Sequence, residues 1–378
     1  MNFSRLFALN CALLILVGLS GCGSSDGSRE LEKGLAAYEV RDLIKAEKFI
    51  SESLTRAPQD VGRILYLARI KLDLGKMPEV HKLIAQAQSL SGADADVRLF
   101  AAQLAWHDKD YARARTEFSK LAEDARVSAP IRAQALAGLG VVEMSDDRPH
   151  HARVAFLQAT RLDARNASAW YHLGLLYRDA FQYLEIALQQ FDVFIHLEKM
   201  ADVRVQKTQT NLIPALKEAI GNNMRDRPGV SKRNSSACAT ALAKAETAVK
   251  KGSFKNARLA YQEALTADPL SYPAAKGLAE CWEKTDTTKA GQEKALENYR
   301  VACLLRPSAV KTFLTAGALA TKLGLQVQAV EFYSRAVAAN PTSFDAIDGL
   351  IRALRKTGGR AAEAQAYQKY REAISRKK

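Results

Sequence analysis

A chain of 378 residues with 55 Lys and Arg against 41 Asp and Glu carries a formal charge of +14. Hydrophobic residues make up 48 %, with only 21 Gly and 10 Pro, which suffices for a continuous apolar core. No alternating strand pattern of useful length is present, which excludes a sheet-built domain. The excess charge is one-sided: residues 1–200 carry 25 cations and 25 anions, residues 201–378 carry 30 and 16.

The chain opens with Arg5 and an apolar run from Leu6 to Leu19, broken only by Asn10 and Gly18. A membrane-spanning helix needs about 20 apolar residues, so this run suits a signal-peptide core instead. It ends in Leu19-Ser20-Gly21-Cys22, which resembles the bacterial lipobox. The resemblance implies that residues 1–21 are a signal peptide and that Cys22 carries a diacylglycerol, which with further acyl chains anchors a protein stably. Residues 22–28 then read as the lipidated cysteine and a flexible tether. Gly23 is not Asp, the residue that signals inner-membrane retention in enteric bacteria. The expected location is therefore the bacterial cell envelope, on the outer membrane facing the periplasm.

From residue 29 onward small and aromatic residues recur at a spacing of about 34. Gly34, Ala46 and Pro58 are followed by a degenerate stretch, 61–94, in which Ala68, Gly75 and Ile84 keep the phase. Then come Ala102, Ala114 and Phe118, and after them Gly140, Ala152, Phe156 and Ala159. Trp170-x2-Leu173-Gly174-x2-Tyr177 leads to Ala187-x3-Phe191. Residues 203–220 suggest an extra capping helix, and the polar stretch 221–236, with Gly and Pro, reads as a linker. Beyond it follow Ala245, Ala257, Tyr261, Ala264 and Pro269. Ala279, Ala295, Tyr299, Ala302 and Pro307 fit once four extra residues are allowed around Thr285–Gly291. Gly317, Ala329, Tyr333, Ala336 and Pro341 complete a third such set. The last unit, 344–378, keeps most of the phase through Leu350, Leu354 and Ala364.

These residues resemble the tetratricopeptide repeat, with small residues at positions 8, 20 and 27, an aromatic at 24 and a proline at 32. The resemblance implies an all-α solenoid of about nine helix–turn–helix units in two arrays, 29–220 and 237–378. Positions 4, 7, 8 and 11 share one face of the first helix, and 20, 24 and 27 one face of the second. Small residues at 8 and 20 let the backbones approach while the aromatic at 24 fills the space beside them. Pro269, Pro307 and Pro341 fall where the second helix must stop. One hairpin cannot bury its own face, so neighbours must stack.

In this family the first helix of each unit lines a groove, through positions such as 2, 5, 9, 12 and 13. In the first array those positions are largely apolar, and the candidates for holding a peptide are Tyr38, Leu99, Trp106, His107, Tyr171, Leu175 and Arg178. In the second array they carry Lys250, Lys276, Lys284, Lys311, Lys322, Arg352, Arg355 and Lys356. Position 13 is Lys in all four units there, a ladder able to attract acidic segments or anionic polymers. A lysine at that position also gains from the helix macrodipole. Glu280 stands where the chaperone-binding carboxylate clamp uses Asn, so that ligand is not expected.

Patterns for catalysis are missing. The six histidines form no H-E-x-x-H and lie near no cysteine at zinc spacing, and there is neither G-x-S-x-G nor a glycine-rich phosphate loop. Cys238, Cys281 and Cys303 remain once Cys11 and Cys22 are assigned, and an odd number cannot pair completely. The expectation is a non-catalytic adaptor without cofactor, metal, small-molecule substrate or nucleic acid. It would bind envelope proteins through its groove and the membrane through its lipid. The alternative is a binder of an anionic glycan or lipid through the basic second array.

Overall fold

A computed structural model describes residues 26–198 and 202–376, and every regular element among them is helical. Five hairpins come first. They are α1 (Ser28–Glu39) with α2 (Leu43–Arg56), α3 (Val61–Asp73) with α4 (Met77–Ser91), and α5 (Ala95–His107) with α6 (Tyr111–Glu123). Next are α7 (Ala129–Ser145) with α8 (Pro149–Leu162), and α9 (Ala167–Asp179) with α10 (Leu184–Leu197). A long helix follows as α11 (Val203–Lys207) and α12 (Ile213–Arg225), joined by a π segment. Four more hairpins complete the chain: α13 (Ser235–Lys250) with α14 (Phe254–Ala267), α15 (Tyr272–Thr285) with α16 (Lys289–Leu305), α17 (Val310–Lys322) with α18 (Gln326–Ala339), and α19 (Phe344–Lys356) with α20 (Ala361–Ser375). The nine units expected from the spacing are present as nine hairpins among the described residues. The expected signal peptide, the expected lipidation site Cys22 and the start of the expected tether lie outside them.

Local chemistry sets the helix ends. Side chains of Asp42, Asp60, Asp94, Asp110, Asn234, Ser271, Thr288 and Ser343 accept hydrogen bonds from amides of the first turn that have no partner within the helix. In eight hairpins the turn between the two helices passes through one left-handed residue: Arg41, Gly75, Lys109, Asp147, Gln182, Gly252, Gly324 or Gly359. The seventh hairpin differs, because its insertion goes mainly into helix rather than into the turn. α16 has 17 residues where α14 and α18 have 14. Gln292 anchors the extension by donating to the carbonyls of Glu283 and Asp286, at 3.1 and 2.8 Å.

The extra helix runs to Arg225, further than 203–220 suggested. Pro214 has no N–H and crowds the carbonyl one turn earlier, which accounts for the widened π turn over Thr208–Leu212. Of residues 221–236, the first five continue α12 and the last two open α13. The remainder is tied to the first hairpin after it: Asn234 donates to the Ala267 carbonyl at 2.8 Å and Arg233 pairs with Asp268 at 2.7 Å.

The chain divides into two compact units. Of the described residues, the first holds those up to Leu173 with those of Val193–Gln206, the second Gly174–Asp192 with those from Lys207 onward. Within each, the position-24 side chain sets the packing. Phe156 lies against Gly140 of its own hairpin, and Phe118 against Gly138 of the next one. In the second unit Tyr261 lies against Gly277 of the following hairpin, and Tyr333 is held between Gly317 of its own and Gly349 of the next. A β-carbon at any of these glycines would overlap the ring. At these three seams, Phe118 to Gly138, Tyr261 to Gly277 and Tyr333 to Gly349, an aromatic joins its hairpin to the successor through a second small residue, at position 6.

Candidate functional site

In the first unit the apolar candidates are mostly interior. Leu99 is 2 % exposed and Trp106 5 %. The Trp106 indole N–H donates to Ser145 Oγ at 3.0 Å, so the ring packs beneath the following hairpin. His107 meets it edge-on, with centroids 4.9 Å apart, and is half-buried. Burial holds its imidazole below the ordinary histidine range, helped by the nearby Arg69 charge. Tyr171 is 8 % exposed, its ring tilted on Phe194 at 4.9 Å with the Arg204 guanidinium above it at 5.8 Å. Tyr38 is half-buried, and its hydroxyl donates to Asp73 at 2.8 Å. Burial, then the Asp73 charge, pushes that phenol well above its ordinary value.

In the second unit Leu175 is 8 % exposed, while Arg178 is half-buried and lies along Asp179, with Nη2 2.7 Å from Oδ2. The basic candidates of this unit have the opposite character. Lys250, Lys284, Lys311, Lys322, Arg352, Arg355 and Lys356 are all exposed, and Lys276 is half-buried beside Glu280 at 3.0 Å. They fall into two groups. Lys276, Lys311 and Arg352 lie within α15, α17 and α19. The position-13 lysines end their helices, and two of them reach back to the preceding hairpin, Lys284 over the Phe254 ring at 4.5 Å and Lys322 to Gln292 at 3.4 Å.

Beside Lys276 lies a cavity of about 240 Å³, lined by Tyr261, Tyr272, Pro273, Gly277, Glu280 and Arg306. The Arg306 guanidinium stacks 4.1 Å over Tyr272, whose hydroxyl shares a 2.7 Å hydrogen bond with Thr312 of the next hairpin. Nearby, Trp282 is gripped between Arg258 at 3.9 Å and Lys294 at 4.6 Å. Neither arrangement was foreseen from the sequence. Each joins residues of different helices, and no short-range pattern announces it.

Among the described residues no His, Cys, Asp and Glu cluster could hold a metal, and no helix is long and apolar enough to cross a membrane. Cys238, Cys281 and Cys303 are buried and free. Burial raises the Cys281 thiol and pushes that of Cys303 up to about 12. These three cysteines should resist alkylation at pH 8 in the native protein and react fully in denaturant, as peptide mass spectrometry would show. Rapid native labelling of Cys303 would contradict the packing.

No protein-family model matches the chain, and no curated protein does. Solved structures do. A pilF structure from Pseudomonas aeruginosa is 15 % identical over 68 % of this chain and 97 % of that one, with a TM-score of 0.38. The Cut9–Hcn1 hetero-tetramer of the APC/C is 14 % identical over 94 % of this chain and 80 % of the other, at 0.36. YrrB, described as a TPR protein with an unusual peptide-binding site, is 15 % identical over 61 % and 96 %, at 0.26. These likenesses are too loose to carry an argument, and the assignment rests on the chain's own geometry. Nine hairpins among the described residues, several with a position-24 ring seated on a glycine of its own or the following hairpin, make the chain a tetratricopeptide-repeat solenoid by fold.

Proposed function

We propose that the chain is a non-catalytic scaffold holding a segment of a partner protein along the first-helix face of its last hairpins, tethered by lipid at Cys22 to the outer membrane of a bacterial envelope. The observation that carries the reading is the cavity walled by Tyr261 and Tyr272 with Lys276 in its lining, together with exposed cations, Lys311 and Arg352, on the first helices of the two following hairpins. Such a face combines charge for orientation with an aromatic notch for a side chain. The Leu19-Ser20-Gly21-Cys22 run supports the tether.

Affinity capture from solubilised envelopes tests the scaffold. A protein retained by the immobilised chain at high salt, and lost from a Lys276→Glu, Lys311→Glu, Arg352→Glu variant that melts at the same temperature, is the expected result. Retention unchanged by the variant sinks this face as the site. For the tether, Cys22→Ser should abolish labelling by radioactive palmitate and move the protein out of the membrane fraction. Continued labelling would place the lipid elsewhere.

A further inference from the structure

The edge formed by the turns within the last four hairpins is more basic than helix stability requires. Lys250, Lys284, Lys322 and the pair Arg355–Lys356 end their helices, where the macrodipole favours cations. On the other side of the same turns, however, Lys255 stands in the first turn of α14 and Lys289 opens α16. Cations there oppose the dipole, and α14, α16 and α18 have no acidic residue in the first turn to offset them.

The carboxylates at this edge keep their charge but are outnumbered by its cations. Glu283 accepts from Tyr299 at 2.9 Å, Asp286 caps Thr288 at 3.0 Å, and Glu293 and Glu363 face Lys289 and Arg360. Neighbouring turns touch, since Lys284 reaches Phe254 and Lys322 reaches Gln292. Side by side on one edge, the cations add their fields at a facing surface. Among them stands Val327, 72 % exposed in the first turn of α18.

We infer that this turn edge docks on an anionic lipid surface. A row of cationic turn tips is a projecting rim rather than a groove, so it meets an extended flat surface better than a peptide strand. Charge complementarity draws it to acidic headgroups, and Val327 enters the interfacial layer between them. The edge is separate from Lys276, Lys311 and Arg352, assigned to a protein partner, so the two readings fail independently.

The test is sedimentation of the full chain with vesicles of phosphatidylcholine alone and with about one third phosphatidylglycerol. The neutral vesicles register any contribution of the apolar N-terminal run. Binding should favour anionic vesicles about tenfold or more and disappear in high salt. Lys250→Glu, Lys255→Glu, Lys322→Glu should remove that preference, while Lys244→Glu, Lys369→Glu, Arg376→Glu, with the same change of net charge, should keep it. Equal melting temperatures verify the fold of both. Unchanged binding by the edge variant overturns the inference, as does equal loss in the second variant, which would reduce the effect to net charge. Binding of a poly-glutamate peptide without binding to anionic vesicles would also overturn it, giving the edge to an acidic protein instead.

Discussion

Tyr333→Ala should destabilise the last two hairpins by about 3–5 kcal/mol, the range for removing a buried aromatic ring. The ring is 7 % exposed and lies between Gly317 and Gly349, so its removal empties the seam joining α18 to both flanking first helices. Stability in a solenoid is nearly a sum of nearest-neighbour terms. The loss should therefore appear as faster amide exchange across α17–α20, with α3–α6 little changed. Gly349→Ala offers the complementary sign test. Helix propensity alone predicts a gain of about 1 kcal/mol. The new methyl would overlap Tyr333, and overpacking costs about 1–3 kcal/mol, so the net effect should be destabilising. With Tyr333→Ala already in place the clash is gone, and the same glycine substitution should stabilise. A Gly349→Ala effect of one sign in both backgrounds would refute the seam.

That seam also marks where reading the sequence stops. The hairpins were legible because the features that define them are local. Gly317, Ala329 and Tyr333 share a helix or an adjacent one, and Pro341 follows within two residues of the helix end. The small residue at position 6 was not legible, since Gly277 meets Tyr261 and Gly349 meets Tyr333 across two hairpins. Cations such as Lys311 and Arg352 are exposed, because they lose little by staying in water. Apolar groove candidates were harder. An apolar side chain at position 12 serves a ligand or the next hairpin equally well, and Ser145, 39 residues beyond Trp106, decides for the interior. The cation–aromatic clasps on Trp282 and Tyr272 depend in the same way on residues from other helices.

His172, read from the sequence only as one of six histidines, should make the fold sensitive to mild acid. It is 1 % exposed, stacked on Phe156 with centroids 5.7 Å apart. Its Nδ1 donates to the Ser168 carbonyl at 2.7 Å, which leaves Nε2 as the unprotonated nitrogen. Nε2 is buried with no hydrogen-bond partner among the described residues, so a proton there would create a cation without an acceptor. Burial, with the nearby Arg204 charge adding to it, holds the imidazole at about 4 against an ordinary 6.5. The sign follows directly. The unfolded chain takes up this proton below about pH 6.5 and the folded chain only near 4. Stability is complete above pH 6.5 and falls as the pH drops toward 4, by about 3 kcal/mol from this group at 1.36 kcal/mol per unit. His107 is shifted down by burial too and adds a contribution of the same sign. Urea denaturation of the parent and His172→Phe between pH 7.5 and 4 separates the two. The variant should lose most of the pH slope in that window while keeping the ring packed on Phe156. Parallel slopes in the two proteins would mean that the acid sensitivity arises elsewhere.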